Sequence, residues 1–382
     1  MLNDGLNNIK EGYNFSDSTE TVNAYKKSHP EKEILTLGIG DVSKPICAPI
    51  IKAMHEAVDD LSSMEKFQGY GLYYGLKKLR ELIIENEYKQ FGFSYEEVFV
   101  SDGAKSDIGN ILELFDKHSS ILISTPLYPI YKNTFKSLNK KFTEKKLNEN
   151  HKLDIPNERY DVVYLCSPSN PIGNALTYDE LKAWVDYANK NDSYIVIDNV
   201  YEAFIESDDV PHSAYEVEGA KNCVIELRSF SKVASFTGLR CSYYVIPKEI
   251  GLTKQWHERL VNRFNGASYV AQKAAIASYS HEAQAIIKEN IKYYKENAKY
   301  LRESLTELGF KIIGGKDSPY LWVETRDNMT GVEYLDFLLE KFQVVMLPGE
   351  IFGDNRYVRV SSLGSIENSK KVIERLKEYY EK

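Results

Sequence analysis

Between about residue 97 and residue 247, the chain alternates short apolar segments with stretches of helical periodicity. This alternation restricts the fold more than any other feature, because short apolar strands joined by helices pack as a mostly parallel sheet covered by helices. Seven segments have the length and composition of such strands: 98–101, 121–125, 141–147, 162–167, 194–198, 224–227 and 241–247. The sequence therefore predicts an α/β large domain built on a mostly parallel seven-stranded sheet.

The segments on either side of this region have a different pattern. Before it, helical spacing is found at 48–60 and 76–91, after a polar arm with a short helical piece near residues 21–25. After it, one long helix (280–308) precedes a small α+β domain. The strands predicted there are 310–313, 320–324, 344–346 and 357–360, and the helices 331–341 and 365–381. We expect an N-terminal arm and part of the small domain in 1–45, the large domain in 46–280, and the small domain in 281–382.

Composition and charge exclude several classes of protein. The 382 residues carry a net charge of −8 without a basic cluster, which argues against nucleic-acid binding. No apolar run approaches the roughly 20 residues of a membrane span, and residues 1–5 lack the pattern of a signal peptide. The four cysteines are scattered and the seven histidines lack metal-binding spacing. We expect a reduced, cytoplasmic protein with no metal site, disulfide framework or membrane partner.

The most informative polar segment is 229–240, between the last two predicted strands of the large domain. Lys232 lies there among small and hydroxyl residues, and Arg240 follows eight residues later. A lysine that forms a Schiff base needs a pocket that lowers its pKa, because only the neutral amine attacks a carbonyl. Hydroxyls and a cation nearby can hold a phosphate. The alternative is a surface lysine in a polar turn, which is the more common case for an isolated lysine.

The residues at the ends of the other strands help to decide between a Schiff-base lysine and a surface lysine, because ligands of parallel sheets bind beyond the carboxyl ends of the strands. After 98–101, Ala104 and Lys105 open a helix whose free backbone amides can bind an anion. An ordinary N-cap by Ser101 or Asp102 is the alternative. Each further strand end adds one polar or aromatic candidate to the same edge.

Three such candidates follow, together with one residue of the small domain. Tyr128 lies between two prolines and suits stacking on a planar cofactor, although a tyrosine at such a position, taken alone, is more often a core aromatic. Asn170 lies in a turn-like segment after 162–167. Asp198 ends an apolar strand, where a carboxylate needs a protonated partner such as a pyridinium nitrogen. Arg359 alternates with valines in a small-domain strand, so it either binds a carboxylate inside the protein or faces water from an edge strand.

The order of these residues resembles that of the fold-type I pyridoxal-phosphate enzymes, in the class I/II aminotransferase branch. The likeness covers nearly the whole chain and is closest to the LL-diaminopimelate aminotransferases. The segments that carry it are LGIGD (37–41), GYG (69–71), VSDGAK (100–105), CSP (166–168), NP (170–171), SFSK (229–232), FTG (236–238), FNGAS (264–268), GGK (314–316) and PY (319–320).

The resemblance implies a role for each cofactor-site residue. Lys232 would bind pyridoxal 5'-phosphate as a Schiff base and carry the substrate's α-proton. Asp198 would keep the pyridine nitrogen protonated. Tyr201 and Asn170 would hold the phenolic oxygen, and Tyr128 would stack on the ring. The phosphate would be bound by Ala104, Lys105, Ser229, Ser231 and Arg240.

The resemblance also implies a substrate site and a homodimer. The substrate α-carboxylate would be bound by Arg359 together with Asn170 and Gly40. Tyr70 would reach the phosphate of the neighbouring subunit's cofactor. Three further positions match residues that contact substrate or cofactor in the subfamily: Tyr13, Glu65 and Asn265. Glu65 would come from the other subunit and recognise a distal ammonium group, or it is a solvated glutamate at a helix end.

The resemblance implies an aminotransferase that moves an amino group between an L-amino acid, in the first place LL-2,6-diaminopimelate, and 2-oxoglutarate by a ping-pong mechanism. Such an enzyme would serve lysine and diaminopimelate biosynthesis. The alternatives are an aminotransferase with another donor in a specialised pathway, a pyridoxal-phosphate lyase or decarboxylase, and a relative that only binds ligand. Departures from the family pattern, such as Ile172 in place of a threonine and a short charged segment at 348–356, concern the choice of substrate.

Overall fold

The computed structural model describes residues 4–7, 9 and 12–380. The predicted arm, the last predicted helix and the predicted small domain therefore each include residues outside this part of the chain. The strands are β1 Leu35–Thr36, β2 Val98–Ser101, β3 Ile121–Thr125, β4 Phe142–Lys146, β5 Val162–Cys166, β6 Tyr194–Asp198, β7 Val224–Ser229, β8 Ser242–Val245, β9 Ile312–Gly314, β10 Tyr320–Glu324, β11 Val344–Val345, β12 Leu347–Pro348 and β13 Tyr357–Ser361.

The helices cover the faces of these strands and connect them. They are α1 Asp4–Asn7, α2 Phe15–Ser28, α3 Ala48–Ser62, α4 Lys77–Ile83, α5 Ala104–Asn110, α6 Ile130–Ser137, α7 Tyr178–Asn191, α8 Phe230–Val233, α9 Thr253–Arg263, α10 Tyr269–Ser278, α11 His281–Glu307, α12 Gly331–Phe342 and α13 Ile366–Tyr380. Among the residues described, no helix is both long and apolar enough to cross a membrane.

The predicted seven-stranded sheet is confirmed, with the order β2-β8-β7-β6-β5-β3-β4. Six of its strands run in one direction, and β8 runs antiparallel to both of its neighbours. The charged strand β4 lies at one edge, where charged side chains hinder pairing with other chains. Because β3, β5, β6 and β7 are parallel and close together, their carboxyl ends meet at one edge of the sheet.

A second sheet belongs to the small domain. Its order is β12-β13-β10-β9, with every pair antiparallel, and β1 pairs in parallel with β11 beside it. Leu35 and Leu37 pack in the same hydrophobic core as Val358 and Val360. The chain before the large sheet therefore contributes to the core of the small domain.

Helix α11 connects the two hydrophobic cores. Ile287 and Ile291 pack in the core of the large sheet, whereas Leu301 and Leu305 pack in the core of the small domain. This packing supports a domain boundary at α11, and we propose the division into residues 1–45, 46–280 and 281–382 on that basis.

The prediction of a single helix over residues 76–91 is wrong in its second half. Helix α4 is followed by a π-helical turn, Ile84–Tyr88, and a 3-10 turn, Lys89–Phe91. In the wider turn, the Tyr88 hydroxyl donates to Glu226 at 2.6 Å and Glu87 accepts from the Tyr243 hydroxyl. Both side chains therefore reach buried polar partners on the sheet, which a regular helix would not allow at consecutive positions.

Candidate active site

A cavity of about 440 Å³ lies at the carboxyl edge of the large sheet, and residues of the small domain close its other side. It brings together twelve of the sixteen predicted site residues, from eight separate segments of the chain. They are Gly40, Ala104, Lys105, Tyr128, Asn170, Asp198, Tyr201, Ser229, Ser231, Lys232, Arg240 and Arg359.

The other four predicted residues do not line the cavity of their own chain. Glu65 and Asn265 are exposed, and Tyr70 is 93% exposed. Tyr13 is half-buried and packs in a cluster with Trp322 and Phe352, next to the cavity residue Phe15. The expectation that Glu65 and Tyr70 act on a second subunit stays a prediction.

Lys232 lies in the short helix α8, directly after β7. Its Nζ donates a hydrogen bond to the carbonyl of Gly40, which joins the sheet edge to the LGIGD segment. Burial lowers the pKa of Lys232 to about 8; Asp41 opposes this shift, and Arg359 and Arg240 add to it. A larger share of the amine is therefore neutral near pH 7 than in an exposed lysine, which is the state needed for attack on a carbonyl.

Asp198 ends β6, lines the cavity and is buried. Its Oδ2 accepts from the Tyr131 hydroxyl at 2.5 Å, and its Oδ1 accepts from the Val200 amide at 3.3 Å. Burial raises the pKa of the Asp198 carboxyl, and these hydrogen bonds oppose the rise. Among the described residues no cation lies within 4.0 Å of it, so the site fits a ligand that brings an N–H group and positive charge.

Arg359 lies on β13, between β12 and β10, and is 3% exposed. The alternative of an edge-strand arginine facing water is therefore wrong. Its Nη1 donates to Asn170 Oδ1 at 2.8 Å and its Nη2 to the Gly38 carbonyl at 3.0 Å, while Nε has no partner in the described chain. No carboxylate of the described residues lies within 4.0 Å of it. A buried guanidinium with neutral partners is suited to bind the carboxylate of a ligand.

The start of helix α5 forms the third part of the site. The cap residue is Gly103, at φ 131°, and no side chain caps the helix. The alternative of a cap by Ser101 or Asp102 is therefore wrong, and Ser101 Oγ donates to Asp107 at 2.5 Å instead. The first amides of α5 have no partner within the helix, so they remain open to a ligand.

Arg240 adds a positive charge to these amides. A Cβ atom at Gly103 would overlap Nη2 of Arg240, so the absence of a side chain there lets the guanidinium approach the helix start. Arg240 Nη1 donates to the Thr237 carbonyl at 3.1 Å, and the hydroxyls of Ser229 and Ser231 lie 3.0 Å apart beside it in the cavity wall. This group of donors fits a phosphate.

Sequence reasoning missed, among other residues, two tyrosines that support the site. Tyr131 donates to Asp198, and the signal for it was its place in the same Pro-rich segment as Tyr128. Tyr320 comes from β10, and its hydroxyl lies 2.9 Å from that of Tyr201. A Cβ atom at Gly40 would lie 2.9 Å from the Tyr320 hydroxyl, so a side chain at Gly40 would displace Tyr320. Tyr320 belonged to a matching segment, but its contact across the domains needs the tertiary structure.

The chain is similar to proteins of one family over nearly its whole length. The family profile "Aminotransferase class I and II" matches residues 32–376. The LL-diaminopimelate aminotransferase of Agathobacter rectalis is 42% identical over 400 residues, covering 99% of both chains. That of Methanosphaera stadtmanae is 39% identical, covering 98% of both.

Solved structures give the same result. The L,L-diaminopimelate aminotransferase from Chlamydomonas reinhardtii superimposes with a TM-score of 0.92 at 32% identity, covering 100% of this chain and 98% of that one. The predicted fold type and enzyme class are thereby confirmed. The cavity holds an amine of lowered pKa, a buried carboxylate and a buried arginine. On the evidence of the family profile and these relatives, the chain belongs to the class I and II aminotransferase family.

Proposed function

We propose that this enzyme uses pyridoxal 5'-phosphate to move an amino group between LL-2,6-diaminopimelate and 2-oxoglutarate. One observation carries the chemical part of the proposal. The cavity contains a lysine of lowered pKa, a buried carboxylate with no cation beside it in the described chain, and a buried arginine with no anion beside it there. Pyridoxal phosphate together with an amino acid would satisfy all three, because its carbonyl would react with the lysine, its ring nitrogen would pair with the carboxylate, and the carboxylate of the amino acid would pair with the arginine.

Each part of the cofactor would have its own residues. Pyridoxal phosphate supplies a carbonyl that condenses with amines and a ring that accepts the electrons released at the α-carbon. Asp198, held by Tyr131, would accept the N–H of the ring nitrogen. Tyr201 and Asn170 would hold the phenolic oxygen and Tyr128 would stack on the ring. The phosphate would be bound by Ala104, Lys105, Ser229, Ser231 and Arg240.

The protein's own residues would then orient the substrate and move its proton. Arg359 and Asn170, with the Gly40 backbone, would fix the α-carboxylate and so place the α-hydrogen. The neutral amine of Lys232 would accept that proton at Nζ and would then donate it to carbon C4′ of the cofactor. Its pKa of about 8 suits both roles near neutral pH, because neither the amine nor the ammonium form is rare.

The choice of substrate depends on the relatives. Proteins named for LL-diaminopimelate match the chain at 39–42% identity over their full length. This supports a place in lysine and diaminopimelate biosynthesis. A cytoplasmic location belongs to the same proposal, because the scattered cysteines are typical of a reducing compartment.

A homodimer would complete the site. Met64, Phe67 and Tyr70 are exposed by 99%, 61% and 93%, which is unusual for large apolar side chains so close in sequence. The adjoining Leu72 carbonyl lies against Gly266, next to Asn265. A second copy packed on this surface would cover the apolar side chains. It would also carry Tyr70 and Glu65 towards the cavity of its partner.

The proposal is tested by adding one amino donor at a time to the enzyme loaded with pyridoxal phosphate and recording the visible absorbance. We expect rapid loss of the lysine-bound absorbance with LL-diaminopimelate and with glutamate, and little change with aspartate or aromatic amino acids. Reaction with glutamate alone would retain the aminotransferase and reject the named substrate. A protein that binds no cofactor would reject the proposal as a whole.

A further inference from the structure

A second and larger cavity, of about 960 Å³, adjoins the first and contains an unusual ionic cluster. Val200 and Ser229 line both cavities, so little more than one layer of residues separates them. The centre of the cluster is Arg228, the residue before Ser229 on the strand that leads to Lys232. Nothing in the proposed reaction uses this arginine.

Arg228 is 5% exposed, and each of its three guanidinium nitrogens has at least one partner. Its Nε donates to Glu226 at 3.0 Å, its Nη1 pairs with Glu87 at 3.2 Å and with Glu202 at 3.0 Å, and its Nη2 donates to the His212 carbonyl at 2.6 Å. Three carboxylates thus surround one cation. A buried ionic group of this kind is costly unless its geometry is well satisfied, so its position is fixed closely.

The partners are themselves held from several elements. Glu226 accepts from the Tyr88 hydroxyl, from the Ala214 amide and from Ser213. Glu87 accepts from the hydroxyls of Tyr243 and Tyr279. The cluster therefore joins strand β7, the π-helical turn after α4 and the segment around residue 213.

Glu202 links the cluster to the cofactor cavity. It directly follows Tyr201, whose side chain lines that cavity, and it begins the 3-10 turn Glu202–Phe204. Burial works against ionisation of Glu202, but Arg228 and His212 outweigh it, so the pKa of Glu202 lies below its usual value. Its carboxylate therefore stays charged and bound to Arg228 at neutral pH. Arg228 thus fixes the backbone next to Tyr201 and, on its own strand, the backbone next to Ser229.

We propose that Arg228 and Glu202 are positioning residues that hold Tyr201 and Ser229 at a fixed separation across the cofactor cavity. The inference depends on the proposed function, because Tyr201 and Ser229 are there assigned to two ends of the cofactor. Arg228 acts through its neighbours and does not line the cofactor cavity. Its fork of donors matters more than its charge, since its partners are bound by three separate nitrogens held in one rigid plane, whereas a lysine offers a single nitrogen.

The test compares Glu202→Ala and Arg228→Lys with the control Glu206→Ala. Glu202 is partly exposed, so its removal leaves the buried pair of Arg228 and Glu226 in place. Glu206 lines the same large cavity, but among the described residues it pairs only with Lys295, at 4.0 Å. Each variant is loaded with pyridoxal phosphate and measured for kcat, KM, melting temperature and the pH midpoint of its visible absorbance.

We expect kcat of Glu202→Ala to fall about 10-fold or more while KM changes little, as for a small misplacement of reacting groups. The pH midpoint should rise, because a displaced Tyr201 no longer donates to the cofactor's phenolic oxygen and the unprotonated state loses a stabilising bond. Arg228→Lys should likewise lower kcat and raise the pH midpoint, and Glu206→Ala should change neither kcat nor the pH midpoint.

Lower melting temperatures with unchanged kcat and pH midpoint would overturn the proposal, since the cluster would then only stabilise the fold. If Arg228→Lys does not fold, Glu202→Ala and its control decide the matter alone. A wild-type protein without cofactor absorbance would instead mean that the proposed function has failed. The two failures are therefore distinguishable.

Discussion

Replacing Gly103 by alanine tests the proposed phosphate site with one methyl group. The new Cβ would overlap Nη2 of Arg240, the free end of a flexible side chain. Arg240 can avoid the overlap by turning away, because the only hydrogen bond of its side chain in the described chain is to the Thr237 carbonyl at 3.1 Å. The substitution should therefore weaken the binding of the cofactor more than it disturbs the packing around Gly103.

The size of the effect follows from the lost interaction. A hydrogen bond between a guanidinium and a phosphate contributes about 1.5–3 kcal/mol. Its loss should raise the Kd for pyridoxal phosphate about 10- to 150-fold, since each 1.4 kcal/mol is tenfold. The φ of 131° adds a strain of about 1–3 kcal/mol to the free energy of folding, because L side chains rarely adopt this conformation.

The assay is a titration of the apoenzyme with pyridoxal phosphate, alongside thermal melting of the same sample. Gly92→Ala is the matched control, because Gly92 also has positive φ, of 70°, but its Cβ would meet no atom within 4 Å. The control should lose stability without losing affinity. A Gly103→Ala protein that folds and binds pyridoxal phosphate as tightly as wild type would refute the assignment of Arg240 to the phosphate.

Four further predictions concern the cavity. Lys232→Ala should abolish transamination in steady-state assays while circular dichroism shows an intact fold; full activity would reject the whole assignment. Tyr131→Phe removes a donor from the Asp198 carboxylate and should lower kcat about 10-fold, since a hydrogen bond to a charged group contributes about 1.5 kcal/mol; an unchanged kcat would show that Asp198 needs no such donor. Arg359→Lys keeps the charge but loses the forked contact, and should raise KM for 2-oxoglutarate about 10-fold; an unaltered KM would place the carboxylate elsewhere. In stopped-flow mixing, the rate at which the apoenzyme captures pyridoxal phosphate should rise with pH, reach half of its limiting value near pH 8, where half of the Lys232 amine is neutral, and then level off; a midpoint at the ordinary lysine value of 10.5 would contradict the lowered pKa.

The large sheet could be predicted from the sequence because its strands are short, apolar and separated by helical spacing. Even the edge position of β4 is visible in its charged residues, Glu144, Lys145 and Lys146. The order of the strands could not be derived in the same way. It depends on which segments pair across the sheet, as in the insertion of the late strand β8 between β2 and β7.

The break after α4 shows why local patterns fail where the interior is polar. Residues 76–91 have helical spacing, and nothing nearby forbids a regular helix. The π-helical turn is needed because Glu87 and Tyr88 both bind groups on distant strands, at Arg228 and Glu226. Contacts that span about 140 positions along the chain, such as Tyr88 to Glu226, leave no mark in a local window.

The residues of the candidate site that could be predicted are those whose charge is unusual at their position in the chain. A carboxylate at the end of a buried strand is costly, and so is an arginine among valines, so the sequence alone indicates that Asp198 and Arg359 need partners. Tyr131 and Tyr320 violate no rule, since a buried tyrosine with a hydroxyl partner is a normal core residue. Supporting residues of this kind can be found only through their contacts.

The same reasoning explains why the charged residues of the cavity indicate a ligand, whereas those of the Arg228 cluster do not. Arg228 is surrounded by carboxylates of its own chain, so its desolvation is offset within the protein and any ligand would compete with those bonds. Arg359 has only neutral partners among the described residues, and Asp198 has only a hydroxyl and an amide. Uncompensated charges of this kind are costly to bury, and a ligand that carries groups of opposite charge would compensate them. Because the two have opposite sign and line one cavity, the ligand must present both a positive and a negative group, as a pyridinium ring joined to an amino acid does.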